Sequence, residues 1–151
     1  MSRPMLLTAY GVALLTVVAT MPVCAAEFRS VGDNPAVLYD APSEKAKKLY
    51  TLSSGYPLEI VVPLERWSKV RDADGELSWI ENQDLGEKRT LMVNITLVDI
   101  KASPDDNAPL VFKAERGVLL DLLELTGTGW ARVQHRDGQS GYIKLDQVWG
   151  L

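Results

Sequence analysis

The chain has 151 residues, with 16 Lys and Arg, 20 Asp and Glu, one His and one Cys. At 46% apolar and 24% charged residues it can build a packed core, which excludes a disordered tail, a collagen-like repeat and a disulfide-built scaffold. A net charge of −4 argues against nucleic acid or anionic lipid as the main partner, because Lys and Arg drive phosphate recognition.

The first 26 residues read as an export signal. Arg3 and the α-amino group give a weakly positive start, Met5 to Val23 is almost wholly apolar, and small residues follow at Cys24-Ala25-Ala26. Pro22 ends the apolar helix just before the expected cleavage, after Ala26 or after Ala25. The alternative is an uncleaved anchor, since an apolar run of this length could just span a bilayer. Thr8, Tyr10, Gly11, Thr16 and Thr20 dilute it, and Pro22 and Val23 argue against lipid attachment at Cys24. The expectation is an exported, periplasmic chain with no stable membrane insertion after cleavage. Removing residues 1–26 leaves 15 basic residues against 20 acidic ones and no cysteine, so no disulfide, thiol nucleophile or Cys-based metal site.

Everything after Glu27 is organised by a repeat. In the first copy, Leu58-Glu-Ile-Val-Val lies between Pro57 and Pro63, a strand-length piece. Trp67-Ser-Lys-Val70 leads into Asp74-Gly75, a hairpin turn dipeptide, and then Trp79-Ile80. At an offset of 63, Trp67 falls on Trp130, Val70 on Val133, Asp74-Gly75 on Asp137-Gly138, Ser78 on Gly141, Trp79 on Tyr142, Ile80 on Ile143 and Leu85 on Val148. Upstream the offset reads as 62 at Gly55 and Gly117, then 61 where Val37–Ala41 is laid on Val98–Ala102. Lys45-Ala-Lys-Lys48 reads as solvated loop.

The copies join through Gly86-Glu-Lys-Arg89 with no Gly/Ser-rich or Pro-rich linker, so two barrels in contact are expected. Leu91 to Val98 reads as buried strand, with the Asn94-Ile-Thr96 sequon inside it. Val118–Leu125 could pass for a helix alone, but its alignment to the Pro-bounded segment makes it a strand. Gly127-Thr-Gly129 reads as a hairpin loop, and Trp149 as folded back onto its own barrel. The fold class is all-β, two tandem small barrels, with boundaries at 1–26, 27–88 and 89–151.

Two motifs now stand together: V-L-Y-D-A-P from Val37 to Pro42, and W-x-x-V…D-G-x-x-[GS]-[WY]-I late in both copies. They resemble the Src homology 3 (SH3) fold in its bacterial, exported form, and Gly138-Gln-Ser-Gly-Tyr-Ile-Lys-Leu-Asp-Gln-Val148 is similar to the ending of the eukaryotic domain. The resemblance implies SH3-like barrels, cell-envelope placement, and a ligand groove at Trp67 and Trp130. It also brings departures. Glu81 and Lys144 stand where the eukaryotic pattern has a cradle Pro, and Asp84 and Gln147 where it has a cradle Tyr. A polyproline ligand needs those rings, so it is not expected.

Strand parity gives an independent reading. With Val70 and Ile80 in the core, Trp67 and Trp79 share the opposite face, with Arg71 beside them. Trp130, Tyr142 and Arg132 do the same in the second copy. These six residues are the candidate ligand-binding surface. The competing reading has the rings packed against the other barrel or beneath loops.

No catalytic constellation is present in the sequence: His135 stands alone at a hairpin tip, and Asp72-Ala-Asp-Gly-Glu76 lacks the twelve-residue pattern of a calcium loop. No enzyme activity, cofactor or metal is expected. The expected function is a non-catalytic module that recognises cell-wall peptide or an envelope protein. The alternative is an assembly protein whose aromatic faces form an inter-domain or oligomer interface.

Overall fold

A computed structural model describes residues 25–151; the export signal expected over residues 1–26 lies outside them apart from its last two residues. Among the described residues no helix is long and apolar enough to cross a membrane. The first repeat forms β1 (Glu27–Val31), β2 (Ala36–Tyr39), β3 (Lys48–Leu52), β4 (Pro57–Pro63), β5 (Trp67–Arg71) and β6 (Leu77–Glu81). A 3-10 turn (Asn82–Asp84) then leads into β7 (Leu85–Gly86). The second repeats this order as β8 (Thr90–Val93), β9 (Leu97–Lys101), β10 (Leu110–Glu115), β11 (Leu119–Leu125), β12 (Trp130–Gln134) and β13 (Ser140–Lys144). Its 3-10 turn (Leu145–Gln147) leads into β14 (Val148–Trp149).

Each repeat is a seven-stranded antiparallel sheet, ordered β3-β2-β6-β5-β4-β1-β7 and β10-β9-β13-β12-β11-β8-β14. The chain is all-β, as two tandem small barrels of SH3-like architecture. The Val118–Leu125 region is strand: β11 pairs with β12 on one side and β8 on the other. The Asp-Gly hairpins turn at Gly75 and Gly138, whose φ of 88° and 94° falls where a side chain would be strained.

Alternation builds the two cores. Val31, Ala36, Leu38, Leu58, Val70 and Ile80 fill the first. Leu91, Val93, Val98, Ile100, Leu120, Val133, Ile143 and Val148, with Ala114 and Ala131, fill the second. The second core is richer because Leu91 and Ala131 stand where the first repeat has Arg29 and Ser68. The Ser68 hydroxyl is instead spent on the Asn82 side chain at 2.7 Å.

The structure corrects the register of the repeat. Tyr39 pairs with Trp79, and Lys101 pairs with Tyr142, so Tyr39 corresponds to Lys101 and the offset there is 62. The 61 alignment matched a Val and an Ala by identity. The buried set obeys period two instead, placing Ala36 and Leu38 on Val98 and Ile100. The one slip lies between the fourth and fifth strands, where the loop is Leu64–Arg66 in one repeat and Thr126–Gly129 in the other.

Three further expectations change. Asn94, Ile95 and Thr96 form a turn between β8 and β9, with Asn94 and Thr96 exposed. β8 has to end there because the chain reverses to begin β9. His135 is not a bare surface residue: its ring lies 5.9 Å from Phe112, and Nδ1 is 3.1 Å from the Asp137 carboxylate. Trp149 pairs with Met92 in its own barrel, but its ring meets Phe28 of the first barrel edge-on at 5.0 Å.

That aromatic contact belongs to the seam between the repeats. Arg89 sits 6.0 Å from the Phe28 ring and donates to the Gly150 carbonyl at 2.8 Å. The Thr90 hydroxyl donates to the Gly55 carbonyl at 2.6 Å, and Ser30 to the Lys88 carbonyl at 2.5 Å. β8 is therefore buried on both faces: Leu91 and Val93 point into its own core, while Thr90 and Met92 point the other way.

Candidate ligand-binding site

Trp67, Lys69 and Arg71 alternate with the core-facing Ser68 and Val70 on β5, and Trp79 alternates with Ser78 and Ile80 on β6. Since Trp79 lies opposite Lys69 and Glu81 opposite Trp67, the two tryptophans are diagonal neighbours on one face. Facing away from the core does not expose this pair equally. Trp79 keeps part of its surface, whereas Trp67 is 7% exposed. Tyr39, 8% exposed, stands on Trp79's other flank and meets Trp67 edge-on at 5.3 Å. An edge-to-face pair of this kind is a packing unit. Arg71 is tied to Glu59 at 2.7 Å, and Arg66 joins Glu44 across the flanking loops at 3.2 Å. The first barrel's groove position is closed.

The second barrel uses the same strands and leaves the ring open. Trp130 lies opposite Lys144, and Arg132 opposite Tyr142. Lys101 occupies the Tyr39 position, so no ring caps Trp130. A cleft of about 480 Å³ opens beside it, lined by Trp130, Leu97, Val98, Gln147, Lys101, Lys113, Lys144, Asp99 and Asp106. A smaller one of about 360 Å³ lies against Trp130, Thr128, Gly129 and Asp146. Of the six residues expected from the sequence, only Trp130 lines a cleft. Tyr142 is half-buried and Arg132 exposed further along the same strand pair, outside the lining of both.

Charge frames the larger cleft. Lys144 Nζ lies 5.5 Å from the Trp130 ring centre, within cation–π range. It is also 2.6 Å from an Asp106 oxygen, tying the loop after β9 to the end of β13. The hydrogen bond that Lys144 donates to Asp106 raises its ammonium above its ordinary value, against an opposing effect of desolvation. Asp99 faces two ammonium groups, Lys113 at 3.3 Å and Lys101 at 3.8 Å. The sequence reading missed Lys101, Lys113, Asp99 and Asp106. Lys101 was hidden by the one-residue slip, which laid it on Asp40 instead of Tyr39. An arrangement of one open indole, the exposed Leu97 and paired charges can hold a short peptide or a comparable small polar ligand.

Two small barrels, each with a tryptophan at the start of its fifth strand, define a tandem module of the SH3 class. The family model for the bacterial SH3 domain matches residues 32–87 and again 96–150, and the chain belongs to that family. Among curated proteins, none matches the chain. Among solved structures it is similar to NlpC1 from Trichomonas vaginalis, at 20% identity over 89% of this chain and 50% of that one, with a TM-score of 0.38. It is similar to NlpC2 from the same organism, at 19% identity over 83% and 48%, TM-score 0.38. A NlpC/P60 family protein from Bacillus cereus matches at 13% identity over 82% and 56%, TM-score 0.38. The chain spans about half the length of each.

Proposed function

We propose that this protein is a non-catalytic binding module of the cell envelope that recognises cell-wall peptide through the Trp130 face of its second barrel. The observation that carries this reading is the asymmetry between the repeats. One tryptophan is sealed by Tyr39, and its twin faces an open cleft with Lys101 in that place. A ring needed only for packing has no reason to keep a cleft open, whereas recognition surfaces combine exposed aromatics with polar neighbours. Membership of the bacterial SH3 family and the signal-like start of the chain support an exported, periplasmic setting.

The absence of catalysis is part of the proposal. His135, the chain's one histidine, is engaged by Phe112 and Asp137 and lines neither cleft. The assembly reading assigns the outer aromatic faces to an interface. The seam between the barrels is aromatic, but it uses Phe28 and Trp149 and leaves Trp130 free.

The test is co-sedimentation with purified peptidoglycan. The wild-type chain is expected in the pellet and Trp130→Ala, with unchanged circular dichroism, in the supernatant. Equal amounts of both in the pellet, or neither, would overturn the proposal.

A further inference from the structure

We infer that the Trp130 cleft selects a peptide carrying a carboxylate, and that Lys101 is the group that reads it; this rests on the cleft being the binding surface proposed above. The Lys101 side chain is 20% exposed, so most of its stem is packed along the cleft wall. Its close carboxylate among the described residues is Asp99 at 3.8 Å, beyond hydrogen-bond reach. Asp99 is also shared with Lys113, which lies nearer at 3.3 Å. An ammonium has three protons to donate, and a cation with such weak compensation gains from an incoming anion.

The charges of the wall agree. Around the ring, Lys101, Lys113 and Lys144 meet three acids, Asp99, Asp106 and Asp146, and Lys101 is the ammonium whose partner, Asp99 at 3.8 Å, is the most distant. The positions of the first barrel that correspond to the lysines are Tyr39, Thr51 and Glu81, with no base among them. Both repeats share one fold, so folding alone does not demand these bases. Three lysines gathered at one ring on a chain of net charge −4 are a selective feature. One weakly paired ammonium suits a single carboxylate, and the acidic molecule as a whole repels a polyanion. Trp130 and Leu97 supply the apolar surface for the peptide stem beside that carboxylate.

The experiment is calorimetric titration of the full chain, freed of its signal, with N-acetyl-Ala-Glu-Ala-Ala-amide and with the same peptide carrying Gln for Glu. Because the peptides differ in one group, the charge-assisted hydrogen bond should appear as about tenfold tighter binding of the Glu peptide. Lys101→Met keeps the stem and should abolish that preference, with the Gln peptide binding as before. Lys45→Glu, a larger charge change in the other barrel's exposed loop, should leave the preference intact. Equal binding of the two peptides to wild type, lost in Trp130→Ala, would overturn the carboxylate reading and leave the cleft as a peptide site. No binding of either would overturn both. Inorganic polyphosphate binding tighter than the Glu peptide would also overturn the single-carboxylate reading.

Discussion

The two barrels share strand order, hairpin turns and a tryptophan on the same strand, yet they spend that tryptophan differently. In the first, Tyr39 closes over Trp67 and three acids, Glu44, Glu81 and Asp84, occupy the surrounding positions. In the second, the Tyr39 position is Lys101, Trp130 stays half-buried, and three lysines join the acids around it. The cores differ in the opposite sense: the second is larger and free of polar side chains, while the first holds Ser68 and Ser78 on its inner face. The lesson is a division of labour inside a duplication. The barrel with the better core can leave its groove ring uncovered, and the barrel with the poorer core uses that ring for packing.

Core charges are the strongest way to break this comparison. Val70→Asp and Val133→Asp each bury a carboxylate and should cost at least about 3 kcal/mol in urea unfolding. The Val133 variant should lose more. Val70 has the Ser78 hydroxyl directly opposite, while Val133 faces Gly141, which offers no side chain to solvate the charge. Equal losses would remove the claim that the cores differ in character.

The tryptophans come next. Trp67→Ala should cost about 3 kcal/mol, the range for truncating a buried ring, with little effect on binding. Trp130→Ala should cost about 1 kcal/mol or less, because the ring is half out of its packing already, and should abolish binding. Parallel melting and sedimentation of both variants would expose an inversion of these roles.

A smaller effect is expected at the position after the hairpin where the repeats hold Ser78 and Gly141. A Cβ on Gly141 would lie 2.6 Å from Ile100 Cγ2 and 2.7 Å from the Lys101 carbonyl. Gly141→Ser should therefore cost about 2 kcal/mol by overpacking. Ser78→Gly creates no clash and should cost about 1 kcal/mol, mainly through strand flexibility. Any shift of the Lys101 backbone caused by the Gly141 variant should also appear as weaker binding.

The smallest effect is alkaline. The first barrel's hairpin is tied down by the Tyr50 hydroxyl donating to Asp72 at 2.9 Å and by the Ala73 N–H donating to the Tyr56 hydroxyl at 3.3 Å. Burial raises both phenols above 10.0. A phenol with a raised folded value keeps its proton more firmly in the native state. Its contribution is thus complete below the unfolded value of 10.0 and is lost as pH rises through the folded one. The second barrel has Phe112 and Val118 at these positions. Tyr50→Phe combined with Tyr56→Phe should flatten the fall in stability above pH 10.0. An unchanged slope would assign that fall to other groups.

Much of the fold was legible because its signals are local. The Trp, Val, Asp-Gly and aromatic-Ile series repeats within one hairpin, and the three-residue spacing of Trp67 and Val70 places them on opposite faces. The state of the groove was not legible, because it depends on which side chain of another strand covers the ring. Tyr39 reaches Trp67 from β2, and a slip of one residue in aligning that strand exchanges its core and outer faces. The same slip hid Lys101. Trp149 shows the other limit: its place at the end of the second repeat sets it next to its own barrel, but its ring finds Phe28 across a seam created only by tertiary packing.

The most direct test of the division of labour follows the four indole N–H signals in a 15N correlation spectrum while soluble peptidoglycan fragments are added to the wild-type chain. The Trp130 signal should shift progressively, with the backbone signals of Lys101 and Lys144, while Trp67 stays in place. A shift of Trp67 with Trp130 unmoved, or no shift at any indole, would contradict the account.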